Sequence, residues 1–249
     1  MILKFDKDLV IAIGDIHGEF NNIVFKINSQ YEITDSICIA CGDIGMGFYK
    51  FNYYKDLFSK LNSKLKKANN HLLLIRGNHD NPIYFNETCE LNKFTHIKLL
   101  DDYSIVETPT RCILNVGGAY SIDRSARMKS GTLDYCYWKD EPFIYDESKL
   151  NNIESLFGRQ ITHVCTHSAP KECEPRTKEG LIYWLEKDLQ LKNDIEKERN
   201  DHSMLMKYLL DNKQPIRQWC YGHYHYTKTE FLNGIKFCLL DICQIIELS

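Results

Sequence analysis

The chain has 249 residues, 43% of them hydrophobic and 26% charged, long enough to bury one large core, so a single domain over residues 1–249 is expected. Its formal net charge of -3 provides no general basic field, which excludes strong nucleic-acid binding through phosphate neutralisation alone. The opening MILKFDKDLVIAIGD has only a brief apolar run interrupted by Asp and Lys, too short and too polar for a signal peptide or a membrane span; a cytoplasmic protein without membrane partners is expected.

In chain order, LVIAI (Leu9 to Ile13), ICIAC (Ile37 to Cys41) and LLLI (Leu72 to Ile75) are short continuous apolar runs, the pattern of strands buried on both faces. Between the first two, Phe20, Ile23, Val24 and Ile27 recur at helical spacing; between the second and third, Tyr54, Leu57, Phe58, Leu61 and Leu65 do the same. Strand, helix, strand, helix, strand predicts a parallel sheet covered by helices. HIKLLDDYSIVE and RCILNVGGAYS then read as two strands joined by a Pro-containing turn, followed by an irregular flap at about 120–145. ITHVCTH and RQWCYGH read as later strands. They are separated by a helix with Met204, Leu205, Tyr208 and Leu209 on one face, and the preceding charged run EKDLQLKNDIEKERND is expected to be solvated. GIKFCLLDI is expected as the last strand. The ten cysteines sit in apolar runs, as buried small hydrophobes in a reducing compartment do, and alternation would send Cys38 and Cys41 to opposite faces of their strand.

The unusual polar residues fall where apolar strands end. Asp15 and His17 (GDIHG) follow the first, Asp43 (CGDIG) the second, and Asn78, His79 and Asp80 (RGNHD) the third. His167 (THSAP) and the pair His223 and His225 (GHYH) follow two later ones. In open α/β sheets ligands bind beyond the carboxyl ends of the strands, so these clusters should converge. Histidines in a tyrosine-rich strand can equally be buried structural residues, but here the late pair finds matching carboxylates, imidazoles and one amide. Mixed oxygen and nitrogen donors without thiolate suit Mn, Fe, Zn, Co or Ni. Asp15, His17, Asp43, Asn78, His167, His223 and His225 are too many ligands for one ion and suit two divalent metal ions sharing a carboxylate.

The ordered set GDIHG, GD, GNHD, H and GHYH, from Gly14 to His225, resembles the signature of the calcineurin-like metallophosphoesterase superfamily. The resemblance implies a four-layered α/β/β/α sandwich with the metals at one edge and the late strands in the second sheet. It assigns one metal to Asp15, His17 and His225 and the other to Asn78, His167 and His223, with Asp43 bridging. His79 would then serve the leaving oxygen, and Asp80 would accept from its ring. The expected activity is hydrolysis of phosphomonoesters or phosphodiesters by hydroxide generated between the two cations. His71, His96, His163 and His202 match no motif and are expected to be structural or surface residues.

GDIHGEF is also similar to the opening of the serine/threonine protein phosphatases and diadenosine tetraphosphate hydrolases. Those continue from GD to an Asp-Arg-Gly that holds phosphate, whereas this chain reads GDIGMGFYK, and Asp80 stands where that subgroup has glutamate. A divergent branch follows, whose substrate contacts would come from the flap. Arg124 and Arg127 are candidate phosphate forks, and Tyr120 and Trp138 either stack on a base or pack beneath the flap. Arg127 or Arg124 would anchor a phosphate next to the reacting one, favouring nucleotides or other small phosphoesters over phosphoproteins. The competing readings are a serine/threonine-type protein phosphatase, a non-catalytic scaffold that keeps the metal site, and a regulatory metal-binding or redox protein using the cysteines.

Overall fold

The computed structural model describes residues 1–130, 136–151, 160–173 and 180–249. The apolar runs of the first third form β2 (Leu9–Ile13), β3 (Ser36–Ala40) and β4 (His71–Leu74), alternating with α1 (Phe20–Phe25) and α2 (Phe51–Lys67). They pair in parallel, with Val10 opposite Ile37 and Ile39 opposite Leu73. β5 (Ile97–Leu99) adds a parallel edge and β12 (Ile245–Glu247) an antiparallel one, giving the five-stranded order β12-β2-β3-β4-β5.

A second sheet combines β1 (Ile2–Lys4), β6 (Ser104–Glu107), β7 (Cys112–Val116), β8 (His163–Thr166) and β9 (Gln218–Tyr221) with the hairpin β10 (Lys228–Leu232) and β11 (Ile235–Leu239). Its seven strands run in the order β1-β6-β7-β8-β9-β11-β10. Period-two alternation then sorts the core into layers. Ile11, Ile13, Leu72 and Leu74 meet Phe20, Ile23, Phe58 and Leu61 of α1 and α2. From the other face, Val10, Ile37, Ile39 and Leu73 meet Ile113, Cys165 and Cys220 between the sheets. The outer face of the second sheet, including Leu114, Val164 and Trp219, packs on Leu205 and Leu209 of α5 (Leu191–Asp211). Four layers, α/β/β/α, result.

Cys38 lies in the helix-facing layer and Cys41 between the sheets, and all ten cysteines are free. No helix among the described residues is long and apolar enough to cross a membrane.

Several elements differ from expectation. HIKLLDDYSIVE is not one strand: it breaks into β5 and β6, which belong to different sheets, while β6 and β7 do form the expected antiparallel pair. GIKFCLLDI is followed by β12, which returns to the first sheet. The flap contains a helix, α3 (Arg124–Lys129), and its residues 131–135 lie outside the described residues. The charged run is not all solvated either: it supplies the first half of α5, where Glu198 is 2% exposed.

Candidate metal centre and pocket

Every cluster found in the sequence leaves the carboxyl end of a strand: Asp15 and His17 after β2, Asp43 after β3, Asn78 and His79 after β4, His167 after β8, and His223 and His225 after β9. The turns are tied to one another by backbone bonds, with Ile16 and His17 N–H donating to Asp43 O and Gly222 N–H to His167 O. Side chains join in: His223 N–H donates to both oxygens of Asp15 (3.0 and 3.1 Å), and His79 N–H donates to Asp43 Oδ1 (2.8 Å). The approach is close enough that a Cβ on Gly222 would overlap Asp15 Oδ1, and one on Gly77 would overlap Asp43 Oδ1. His17, Asp43, His223 and His225 adopt left-handed φ (46, 45, 69 and 48°), a conformation that costs a non-glycine residue roughly 1–3 kcal/mol and concentrates at functional sites.

The side chains gather into two groups with one residue in common. Asp15, His17, Asp43 and His225 present donor atoms within 4.8 Å of one another, and so do Asp43, His167 and His223. In the first group His17 Nε2 and His225 Nε2 are 3.0 Å apart, and His225 Nε2 lies 3.1 Å from Asp15 Oδ2. In the second, His167 Nε2 lies 3.2 Å from Asp43 Oδ1 and 3.0 Å from Asn78 Oδ1. His167 Nδ1 is within 2.7 Å of Cys41 O, which takes the Nδ1 proton and leaves Nε2 as the inward donor. The donor set is carboxylate, imidazole and one amide oxygen, which fits divalent first-row metals.

Burial works against ionisation of Asp43, but the surrounding His79, His167 and His17 outweigh it and hold this carboxyl well below the usual range. Burial likewise works against a charged His167, yet Asp43 and Asp15 push it up to about 9. His223 is depressed well below its ordinary value, first by burial and then by His167. The protonated His167 is thus the charge partner of ionised Asp43, a role that a cation held by the same donors would take over.

His79 borders this cluster, with Nε2 3.8 Å from Asp43 Oδ2. Burial lowers its pKa against the pull of Asp43, and Arg127 adds to the lowering. Asp80 departs from expectation. Its buried carboxylate accepts from the backbone N–H groups of Ile44, Gly45, Met46 and Gly77 (2.7–2.9 Å), so it clamps the Asp43 turn to the Asn78 turn. Burial and then Asp43 raise it to about 6 against those bonds. The group that meets the His79 ring is Arg127, with Nη1 2.8 Å from Nδ1 and Nη2 3.1 Å from Nε2.

The other flap candidates divide. Tyr120 lines the pocket above the metal cluster. Arg124 is not a free phosphate fork: it is 7% exposed, bonded to Asp188 (2.7 Å) and Asp194 (2.6 Å), and lies over the Tyr120 ring. Trp138 is 9% exposed and packs edge-on against Phe48, so it supports the wall instead of stacking on a ligand. Arg127 lines the same pocket as Tyr120, where its guanidinium meets the His79 ring.

Two residues that the sequence did not single out hold Asn78. Its Nδ2 donates to Ser121 Oγ (3.0 Å), and Ser121 donates from Oγ and N to the carboxylate of Glu141 (2.7 Å each). Glu141 is fully buried and burial raises it to about 8 against these bonds. A lone serine and glutamate have no motif; only the flap's folding back onto β4 reveals them, anchored by Arg76, which pairs with Asp102 and donates to the carbonyls of Glu141 and Pro142.

Among the described residues, two cavities open on the centre. One, about 400 Å³, is walled by α3, α4 (Leu181–Lys187) and α5, with Ile122, Leu181, Ile195, Arg127 and Arg199 facing it. The other, about 370 Å³, lies on the side of Phe48, Tyr49 and Tyr53. His17 and His79 line both.

Among known proteins, the family described as calcineurin-like phosphoesterase matches residues 9–227. A search of the curated proteins found no match. Among solved structures, the chain is similar in fold to a Thermus thermophilus protein, TT1561, at 12% identity and a TM-score of 0.54, covering 94% of this chain and 89% of that one. It is also similar to a dimetal phosphatase from Danio rerio, at 10% identity and a TM-score of 0.52, covering 96% and 88% respectively.

Proposed function

The chain belongs to the calcineurin-like phosphoesterase family, and from that premise we propose that it is a dinuclear metal-dependent phosphoesterase acting on small phosphoesters, nucleotides among them. One observation carries the reading: Asp43 is common to the two donor groups, as a bridging carboxylate must be. Asp15, His17 and His225 would hold one ion, and Asn78, His167 and His223 the other. When bound, two such cations lower the pKa of water and offset charge on phosphoryl oxygens. The chain's own residues do the rest. His79 faces the pocket beside the cluster and serves the leaving oxygen by hydrogen bond or proton, a role that contributes on the order of 10²–10⁴-fold. Arg127, in contact with His79, supplies the positive charge that the missing arginine after Asp43 would have given. The apolar wall of Ile122, Leu181 and Ile195 suits the organic part of a small ester and keeps water from its bond.

The test is elemental. Protein loaded with Mn or Zn should carry about two ions per chain and hydrolyse aryl phosphoesters. Asp43→Asn should empty both positions and abolish turnover, whereas Asp15→Asn should weaken mainly one. Fully active protein with about one ion per chain would sink the dinuclear reading. A catalytically silent scaffold would bind metal and turn over none of the esters.

A further inference from the structure

A phosphate monoester has one organic arm, and one cavity beside the metals would hold it. Here two cavities meet at the His17 and His79 edge of the centre, one toward α5 and one toward the turn after β3. The second is aromatic. Phe48, Tyr49 and Tyr53 are 37%, 57% and 46% exposed, a cluster of large rings left facing solvent beside the buried site. Among the described residues no Lys or Arg lines that cavity, and Glu19 does, so that lining is unsuited to a second phosphate.

The aromatic wall is built and not incidental. The buried Tyr54 hydroxyl accepts from Gly47 N–H (2.8 Å) and Tyr49 N–H (3.2 Å) and donates to Gly45 O (2.8 Å), pinning the turn that carries Phe48 and Tyr49 against α2, which carries Tyr53. Trp138 braces Phe48 edge-on at 5.9 Å, and Tyr49 lies 4.4 Å from Tyr53. Phe48 in turn is near-parallel to the His79 imidazole (24°), which continues the ring surface up to the reacting centre. Ring faces held in place in this way bind planar groups by stacking at little entropic cost.

We propose that the Phe48, Tyr49 and Tyr53 groove is a second substrate arm that stacks a planar group esterified to the reacting phosphorus, a nucleobase-bearing arm above all, so that the preferred substrate is a phosphodiester with one arm in each cavity. This rests on the phosphoesterase reading. It also moves the stacking surface from the flap, where Trp138 is packed away, to the turn after Asp43.

Binding to metal-loaded protein tests it without depending on which bond breaks. Calorimetry would compare the methyl ester of adenosine monophosphate, and methyl phenyl phosphate, with the non-planar methyl cyclohexyl phosphate. Wild type should bind both planar esters more tightly, and Tyr49→Ala/Tyr53→Ala should shrink that planar preference by about 5- to 150-fold, the range of base–aromatic stacking. Because the preference is a ratio within one protein, a general defect in folding or metal loading cancels. No planar preference in wild type, or the same preference in both proteins, overturns the proposal. Turnover of bis(p-nitrophenyl) phosphate is read separately. A planar preference that depends on the two tyrosines in a protein hydrolysing no ester would uphold the groove and sink the hydrolase reading. Hydrolysis without the preference would do the reverse.

Discussion

Ser121→Ala perturbs the Asn78 amide at one side of the centre without replacing any proposed ligand. The hydroxyl is buried, accepting from Asn78 Nδ2 at 3.0 Å and donating to Glu141 Oε2 at 2.7 Å. Its removal leaves an amide N–H at 3% exposure with no acceptor, a cost of about 1–3 kcal/mol. Because that bond fixes which end of the amide points at His167, part of the cost falls on metal affinity. Loss of such a supporting partner typically weakens binding by about 10- to 100-fold. Only the position formed by Asn78, His167 and His223 should suffer; the one formed by Asp15, His17 and His225 makes no contact with Ser121. Titration of metal-free protein with Zn or Mn, resolving a tight and a weakened step, is the assay. Equal weakening of both steps, or of neither, would refute the idea that Ser121 and Glu141 orient a ligand.

Three further outcomes are expected. Arg127→Ala should lower kcat/KM by about 10- to 100-fold, and by similar factors for an aryl phosphoester and a nucleotide, because charge-assisted bonds contribute about 1.5–3 kcal/mol and Arg127 sits against His79; a loss confined to the nucleotide would return it to a neighbouring phosphate. His202, buried and stacked on Phe143, is depressed by burial to about 3, so it stays neutral in the folded chain and its contribution is intact above the unfolded value near 6.5. As pH falls through that value the unfolded chain gains a proton that the fold refuses, and stability drops by about 1.4 kcal/mol per unit until about 3. Urea unfolding at about pH 7 and about pH 5 should show a smaller drop for His202→Phe than for wild type, and an unchanged drop would count against the assignment. Chelation should lower the melting temperature of wild type, since ions that bind only the folded chain stabilise it by mass action, and should affect Asp43→Asn much less. Identical shifts in the two proteins would argue against the cluster as the binding place.

The parts legible in the sequence were those written in short-range patterns. Continuous apolar runs and helical spacing located β2, β3, β4, α1 and α2, and strand ends located the polar clusters. What escaped depended on tertiary contacts. The break between β5 and β6 falls at Asp101 and Asp102, but two apolar halves so close together read as one strand, and only their pairing in different sheets separates them. The charged run reads as solvated, yet Asp188 and Asp194 fold back on Arg124, and Glu198 receives the Tyr120 N–H. Asp80 has the residue type of a ring-orienting partner, but its position three residues after Gly77 suits backbone capture, and four N–H groups claim it.

The strained backbone at His17, Asp43, His223 and His225 connects fold to chemistry. A strand delivers a side chain above or below its sheet, whereas a site between two sheets needs donors that turn back across the strand ends. A left-handed residue two to four positions after the strand makes that reversal within a short turn, at a cost that ordinary turns avoid by using glycine. Glycine cannot serve where the turning residue must itself be the donor. The chain therefore places glycines next to the donors, at Gly42, Gly77 and Gly222, and leaves the strain on the donors themselves. Bonds between turns, such as His17 N–H to Asp43 O at 2.7 Å and His223 N–H to Asp15 at 3.0 Å, hold the strained geometry. Such an arrangement is maintained by cross-linking the carboxyl ends of both sheets, which is also where two ions sharing Asp43 would need them fixed.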